Sequence, residues 1–140
     1  MFSLFTNDLP CYLSRHASVI AYADDTQIVH SAEPTPAGLA DLRHRVETDL
    51  ATLSAWFSSN GLKVNPSKTE VIVFGTQASV KKTRNFHIRF ENVDLKPATS
   101  IKILGVVLDQ ELNMQAQTSR VVQRCYGNLI TIQKLKDTLP

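Results

Sequence analysis

Cysteine and glycine are both scarce in this chain, at 2 and 5 of 140 residues. Cys11 and Cys125 stand far apart and join no CxxC or Cys/His cluster. That argues against a disulfide scaffold and a zinc site, and it fits free thiols of a reducing compartment. No apolar run approaches the roughly 20 residues that cross a bilayer, so no membrane partner is expected. The opening MFSLFTNDLP has no basic n-region and reaches an acid at Asp8, unlike a secretory leader. The expected location is intracellular, in nucleus or cytoplasm, and not secreted. There is no internal repeat and no low-complexity tract. With 43% hydrophobic and 20% charged residues the composition is globular, and the length suits one domain with a modest core.

The small net charge of +2 conceals a division. Residues 1–80 hold five Lys/Arg against eight Asp/Glu, and residues 81–140 hold ten against five. A basic half is what a polyanionic partner requires, although ordinary surface charge explains it as readily when taken alone.

Hydrophobic periodicity outlines the elements. Ala17–Ser31, ASVIAYADDTQIVHS, consists of two short β-branched runs around an acidic step, a hairpin pattern with Ala23, Asp24 and Asp25 at or near the turn. Thr35 and Pro36 suit an N-cap and first helical position. From there Leu42, Val46, Leu50, Leu53, Trp56 and Phe57 draw one apolar stripe, and Asn60–Gly61 ends the helix. Asp41, Arg43, Arg45, Glu47 and Asp49 are assigned to its polar face. Trp56 and Phe57 fit the core better than a base-stacking platform.

Leu62–Asn65 and Thr69–Phe74 are expected to be extended around a Pro66–Ser67 turn, and Lys81, Lys82 and Arg84 to lie in a loop. Phe86, Ile88 and Phe90 alternate with His87 and Arg89, the period of a half-buried strand. Ile101–Leu108 reads as a denser strand bent at Gly105. Beyond Asp109 the pattern is helical again, through Met114, Val121, Val122, Cys125, Leu129, Ile132 and Leu135. The expected class is α+β, an antiparallel sheet with the first long helix packed on one face.

Tyr22-Ala23-Asp24-Asp25 holds the most informative chemistry. Neighbouring carboxylates repel unless a cation, solvent or a donor relieves them. Magnesium is a natural relief, since it binds a few carboxylates together with substrate phosphate oxygens. Adjacent strand residues face opposite sides, which favours Asp24 on the metal and Asp25 in support. An isolated Asp-Asp step is more often a solvated turn. His16, His30, His44 and His87 are scattered over different elements and receive no metal or acid-base role.

The order of neighbours changes that balance. SLFTNDLP, AYADDT, the helix ending WFSSNGLKVNPSKTEVIVFG, and IKILGVVLD occur in sequence. Together they resemble the back half of the palm of non-LTR (LINE-type) reverse transcriptases, over nearly the whole chain. The resemblance implies a partial palm over residues 1–110 and the start of a helical thumb over 111–140. It implies that Asp24 and Asp25 are catalytic and metal-site positions for Mg2+, that Tyr22 and Ala23 lie near the primer terminus and incoming nucleotide, and that Lys68 helps protonate the leaving pyrophosphate. It also implies that Leu104, Gly105 and Val106 form the primer grip.

The implied partners are an RNA template, a DNA primer and deoxynucleoside triphosphates. The family's other metal-binding aspartate and its fingers precede the segment corresponding to SLFTNDLP, so the 140 residues alone are expected to be inactive. The missing neighbour strand predicts self-association through an exposed sheet edge. The competing expectation is a non-catalytic nucleic-acid binder contacting backbone through Lys81, Lys82, Arg84, Arg120 and Arg124, or a retrotransposon remnant without function.

Overall fold

A computed structural model describes residues 9–22 and 25–136. A short 3-10 turn, Leu9–Tyr12, leads to β1 (Ser18–Tyr22) and β2 (Asp25–Val29), which pair antiparallel with Tyr22 opposite Asp25. The long helix α1 (Pro36–Ser59) follows, and it starts and stops as its capping residues dictate. Thr35 Oγ1 accepts the Gly38 N–H at 3.1 Å, one of the donors a first turn leaves free. A Cβ on Gly38 would come within 2.5 Å of the Glu33 carbonyl oxygen, so this tight entry requires glycine.

A second 3-10 turn, Pro66–Lys68, precedes β3 (Val71–Ile72). Then come α2 (Gln77–Lys82), β4 (Ile88–Phe90), β5 (Val93–Leu95), β6 (Pro97–Ala98), β7 (Ser100–Ile103), β8 (Val106–Asp109) and α3 (Gln115–Lys136).

The class is mixed α+β, and the sheet differs from expectation. Among the described residues the strands form four two-stranded ladders, three antiparallel and one, β3 with β6, parallel. The strands are two to five residues long, and Pro97 lies in the short β6 that pairs with β3. Leu62–Asn65 belongs to no strand, and only Val71–Ile72 of the expected Thr69–Phe74 piece pairs. The Asn65 side chain accepts the Ser67 N–H at 3.0 Å and tightens that region into a turn. Residues expected to be loop at Lys81 and Lys82 form the last turn of α2, capped by Thr76.

The single bent strand at Ile101–Leu108 is instead the hairpin β7–β8, with Ile103 opposite Val106. Leu104 and Gly105 both have positive φ, 47° and 91°, as a two-residue hairpin loop of this hand requires.

The core lies where α1 meets β4–β5. Leu50, Phe86, Ile88, Phe90 and Leu95 are buried together, and Leu53, Trp56 and Leu13 form a neighbouring cluster. Each such side chain contributes roughly 1.5–3 kcal/mol by leaving water. The β4 alternation holds as read, with Ile88 and Phe90 inside and Arg89 outside. Glu47 Oε1 accepts the Arg89 N–H at 2.8 Å and Ser54 Oγ donates to Glu91 Oε1 at 2.9 Å, lacing the polar margin of α1 to the β4–β5 hairpin.

Asp49 departs from its expected place on the polar face, for it is buried at 3% exposure. The last helix, α3, is exposed from Gln115 to Lys136 except at the half-buried Gln117. Its described tether to the sheet is Gln117 Oε1, which accepts the Val107 N–H at 2.9 Å.

Candidate functional site: the acidic hairpin and its anchorage

The acidic step sits on the β1–β2 hairpin. The five-residue strands run in full register to the Tyr22–Asp25 pair, so the link between them is Ala23-Asp24, and both of these lie outside the described residues. The roles assigned to Ala23 and Asp24 are therefore untouched by this geometry. Tyr22 is 65% exposed and Asp25 is exposed, with no ion-pair partner among the described residues. A carboxylate in that condition is available to a hard cation or solvent and is not neutralised by lysine or arginine. Among the described residues, to which Asp24 does not belong, no three of His, Cys, Asp and Glu gather to hold a metal.

The root of the hairpin is built differently from its tip. Ala17, Val19 and Ile28 pack on Leu13, Leu53 and Trp56, while Ile20 is half exposed. Beside that packing lies a buried polar knot that the sequence reading missed. Asp49 Oδ1 accepts the Ser14 N–H at 2.9 Å, and Oδ2 accepts the Ser14 hydroxyl at 2.7 Å. His30 Nε2 stands 3.2 Å from Oδ2, with both side chains only 4% exposed. That contact falls outside hydrogen-bond geometry, and neither ring nitrogen of His30 has a hydrogen-bond partner.

Burial lowers the His30 pKa from its ordinary value; Asp49 pulls it back up, and Arg45 and His16 add to the lowering. The carboxylate is thus held chiefly by two Ser14 donors, with a largely neutral imidazole beside it at neutral pH. Arg45 adds an outer tie, donating to Asp41 Oδ2 at 2.8 Å and to the Ser31 carbonyl at 3.2 Å. The chain entering β1 and the chain leaving β2 are both fastened to α1.

A signal for this knot was present in the sequence. Asp49 lies seven residues after Leu42, three after Val46, four before Leu53 and seven before Trp56, which is on the apolar stripe. A carboxylate at that spacing is buried and needs donors.

The other predicted site residues fall on separate pieces. Lys68 is exposed at the end of the 3-10 turn. Leu104, Gly105 and Val106 make the tip and first strand residue of β7–β8, with Leu104 53% and Val106 41% exposed. Lys81 and Lys82 close α2 and Arg84 follows it, whereas Arg120 and Arg124 lie on α3. No described hydrogen bond or ion pair joins the hairpin tip to Lys68 or to the 104–106 turn.

Comparison with known proteins supplies the class. Residues 1–108 match the reverse transcriptase (RNA-dependent DNA polymerase) family, and the chain belongs to that family. Its sequence is also 32% identical over 135 residues to a probable RNA-directed DNA polymerase from transposon BS of Drosophila melanogaster. That alignment covers 92% of this chain and 14% of the fly protein, so the chain spans a small part of its relative's length. No solved structure matches it.

Proposed function

We propose that this chain is the acid-pair portion of a non-LTR retrotransposon reverse-transcriptase palm, with residues 1–110 in the palm and 111–140 beginning the thumb. The observation that carries the proposal is a fully registered β1–β2 hairpin whose last pair, Tyr22 and Asp25, is exposed, in a chain of the reverse-transcriptase family. The reaction is template-directed transfer of a nucleotide to a primer 3′ end, on an RNA template with a DNA primer and deoxynucleoside triphosphates.

In this reading Asp24 and Asp25 supply carboxylate oxygens, a hard donor set that suits Mg2+. Magnesium, when bound, lowers the pKa of the attacking 3′-hydroxyl and offsets charge on the phosphates. The chain's own contribution is positioning. Tyr22 and Ala23 border the primer terminus, and the exposed Lys68 ammonium donates a proton to the departing pyrophosphate. The turn at Leu104–Val106 bears on the primer strand. A leucine held at positive φ on an exposed tip is the kind of backbone outlier that functional contacts retain.

The 140 residues by themselves are expected not to extend a primer, because the transition-state arrangement needs carboxylates and a nucleotide grip beyond this set. The metal part of the reading is testable without activity. Mn2+ titrated into the isotopically labelled chain should broaden the amide signals of Tyr22 to Thr26 first, and Asp24→Asn should abolish that preference. Broadening spread evenly over the acidic surface would remove the proposal's support. The second reading, a nucleic-acid binder or a remnant without activity, is favoured by Lys81, Lys82 and Arg84 clustering at the end of α2. It predicts RNA binding that weakens steeply with salt and is unchanged by Asp24→Asn.

A further inference from the structure

The seam where the first half of α1 meets the segment from α2 to β4 contains an open groove of about 300 Å³. Pro36 and Leu39 wall it, Phe86 is its buried aromatic member, and Arg43, Lys82 and Asn85 supply the polar lining. No acidic side chain lines it. The Arg43 guanidinium lies over the Phe86 ring, with its central carbon 5.8 Å from the ring centroid. Its Nε is buried without a hydrogen-bond acceptor, and no carboxylate among the described residues pairs with it. The acid two residues away, Asp41, is engaged by Arg45 instead.

These observations have a common meaning. A guanidinium packed on an aromatic face is held in a fixed plane, and the acceptor that its buried Nε–H lacks is one an oxyanion can supply. Lys82 adds a second positive charge from another element, and Asn85 adds an amide donor. Two cations around one opening favour a phosphate over a singly charged carboxylate, and arginine's fork fits phosphate oxygens in pairs.

We propose that this groove binds a phosphate-class anion through Arg43, Lys82 and Asn85. The site goes beyond the polymerase reading and does not depend on it, since none of its lining residues belongs to the acidic hairpin, the Pro66–Lys68 turn or the 104–106 turn. The chemistry is shared by free inorganic phosphate and by the diester backbone of a nucleic acid, and each source leaves a different trace.

The test uses the whole 140-residue chain, with NMR detection of the Arg43 Nε–H and Asn85 side-chain signals. Inorganic phosphate is the first probe and a ten-nucleotide single-stranded RNA the second. Phosphate should shift both signals saturably, and Lys82→Gln, an exposed change that leaves the core intact, should weaken binding about tenfold or more, as loss of one charge-assisted hydrogen bond implies. Lys96→Gln removes the same charge from an exposed position outside the groove and should change the affinity less than about twofold, as screened surface charge does. RNA binding well above phosphate with the same variant pattern assigns the backbone as the source, and equal binding assigns free phosphate. The proposal is overturned if phosphate leaves the Arg43 signal unmoved, or if the two lysine variants lose affinity equally.

Discussion

Replacing Asp49 by asparagine probes the polar knot with almost no change of shape. The carboxylate has two oxygens, both accepting from Ser14, at 2.9 and 2.7 Å, and one of them faces His30 at 3.2 Å. The amide keeps one acceptor and turns an NH2 group toward a donor it cannot satisfy. One charge-assisted bond is lost, at about 1.5–3 kcal/mol, and the other falls to neutral strength, at about 1 kcal/mol less. The expected sum is about 2.5–4 kcal/mol, a large fraction of the roughly 5–15 kcal/mol that holds a domain folded. Urea unfolding of Asp49→Asn should show it as a lower midpoint at unchanged slope.

Asp41→Asn is the internal control, because that carboxylate is 64% exposed and its pair with Arg45 is worth less than about 1 kcal/mol. Hydrogen exchange should also accelerate across Ser18–Val29 in the Asp49 variant and stay unchanged in the Asp41 variant. A buried charge is costly to desolvate, so the opposite outcome has a physical basis. A loss below about 0.5 kcal/mol, or a gain, would show that desolvation cancels the Ser14 bonds and would refute the anchoring role.

The lowered His30 pKa fixes the sign of a pH effect. The unfolded chain takes up a proton near the ordinary imidazole value of about 6.5 and the folded chain resists until lower pH, so stability declines as pH falls through that window. His30→Gln should flatten that part of a stability-versus-pH curve measured by urea titration; an unchanged slope would remove His30 as its source. Phe90→Ala, at a side chain 2% exposed, should cost about 3–5 kcal/mol in the same assay. Leu104→Gly should stabilise by about 1 kcal/mol, since leucine is strained at φ 47° and is half exposed; a measured loss would mean that Leu104 makes a compensating contact. Sedimentation at micromolar concentration should reveal self-association if the half-exposed Ile20 and Val29 leave the hairpin edges open to pairing.

What was legible in the sequence follows from the range of each interaction. The hairpin, the limits of α1 and the alternation of β4 are local, written in caps, turn residues and period. The four separate ladders were not legible, because which short strand pairs with which depends on contacts far apart in sequence. The β7–β8 turn was misread as a bend because its first loop residue is a leucine, where asparagine, aspartate or glycine would have announced it. Asp49 was misplaced by a similar habit, since a charged residue was assigned to water although its spacing put it on the stripe. Arg43 and Lys82 are 39 positions apart, and nothing in either neighbourhood announces the groove they share. The family resemblance was carried by strings of neighbours, and the reverse-transcriptase match over residues 1–108 bears out that coarser part.

The β1–β2 hairpin is held at its root while its last described pair, Tyr22 and Asp25, is exposed, which makes it a lever. Five residues of extended chain span roughly 16 Å, so a tilt of about 5° at the root displaces the tip by about 1.4 Å. Misplacements on the order of 1 Å are enough to cost about a hundredfold in a reaction that depends on alignment. Under the proposed polymerase reading, the placement of the Tyr22–Asp25 end is governed by the Ser14–Asp49 bonds at the root, made by residues that need never touch a nucleotide.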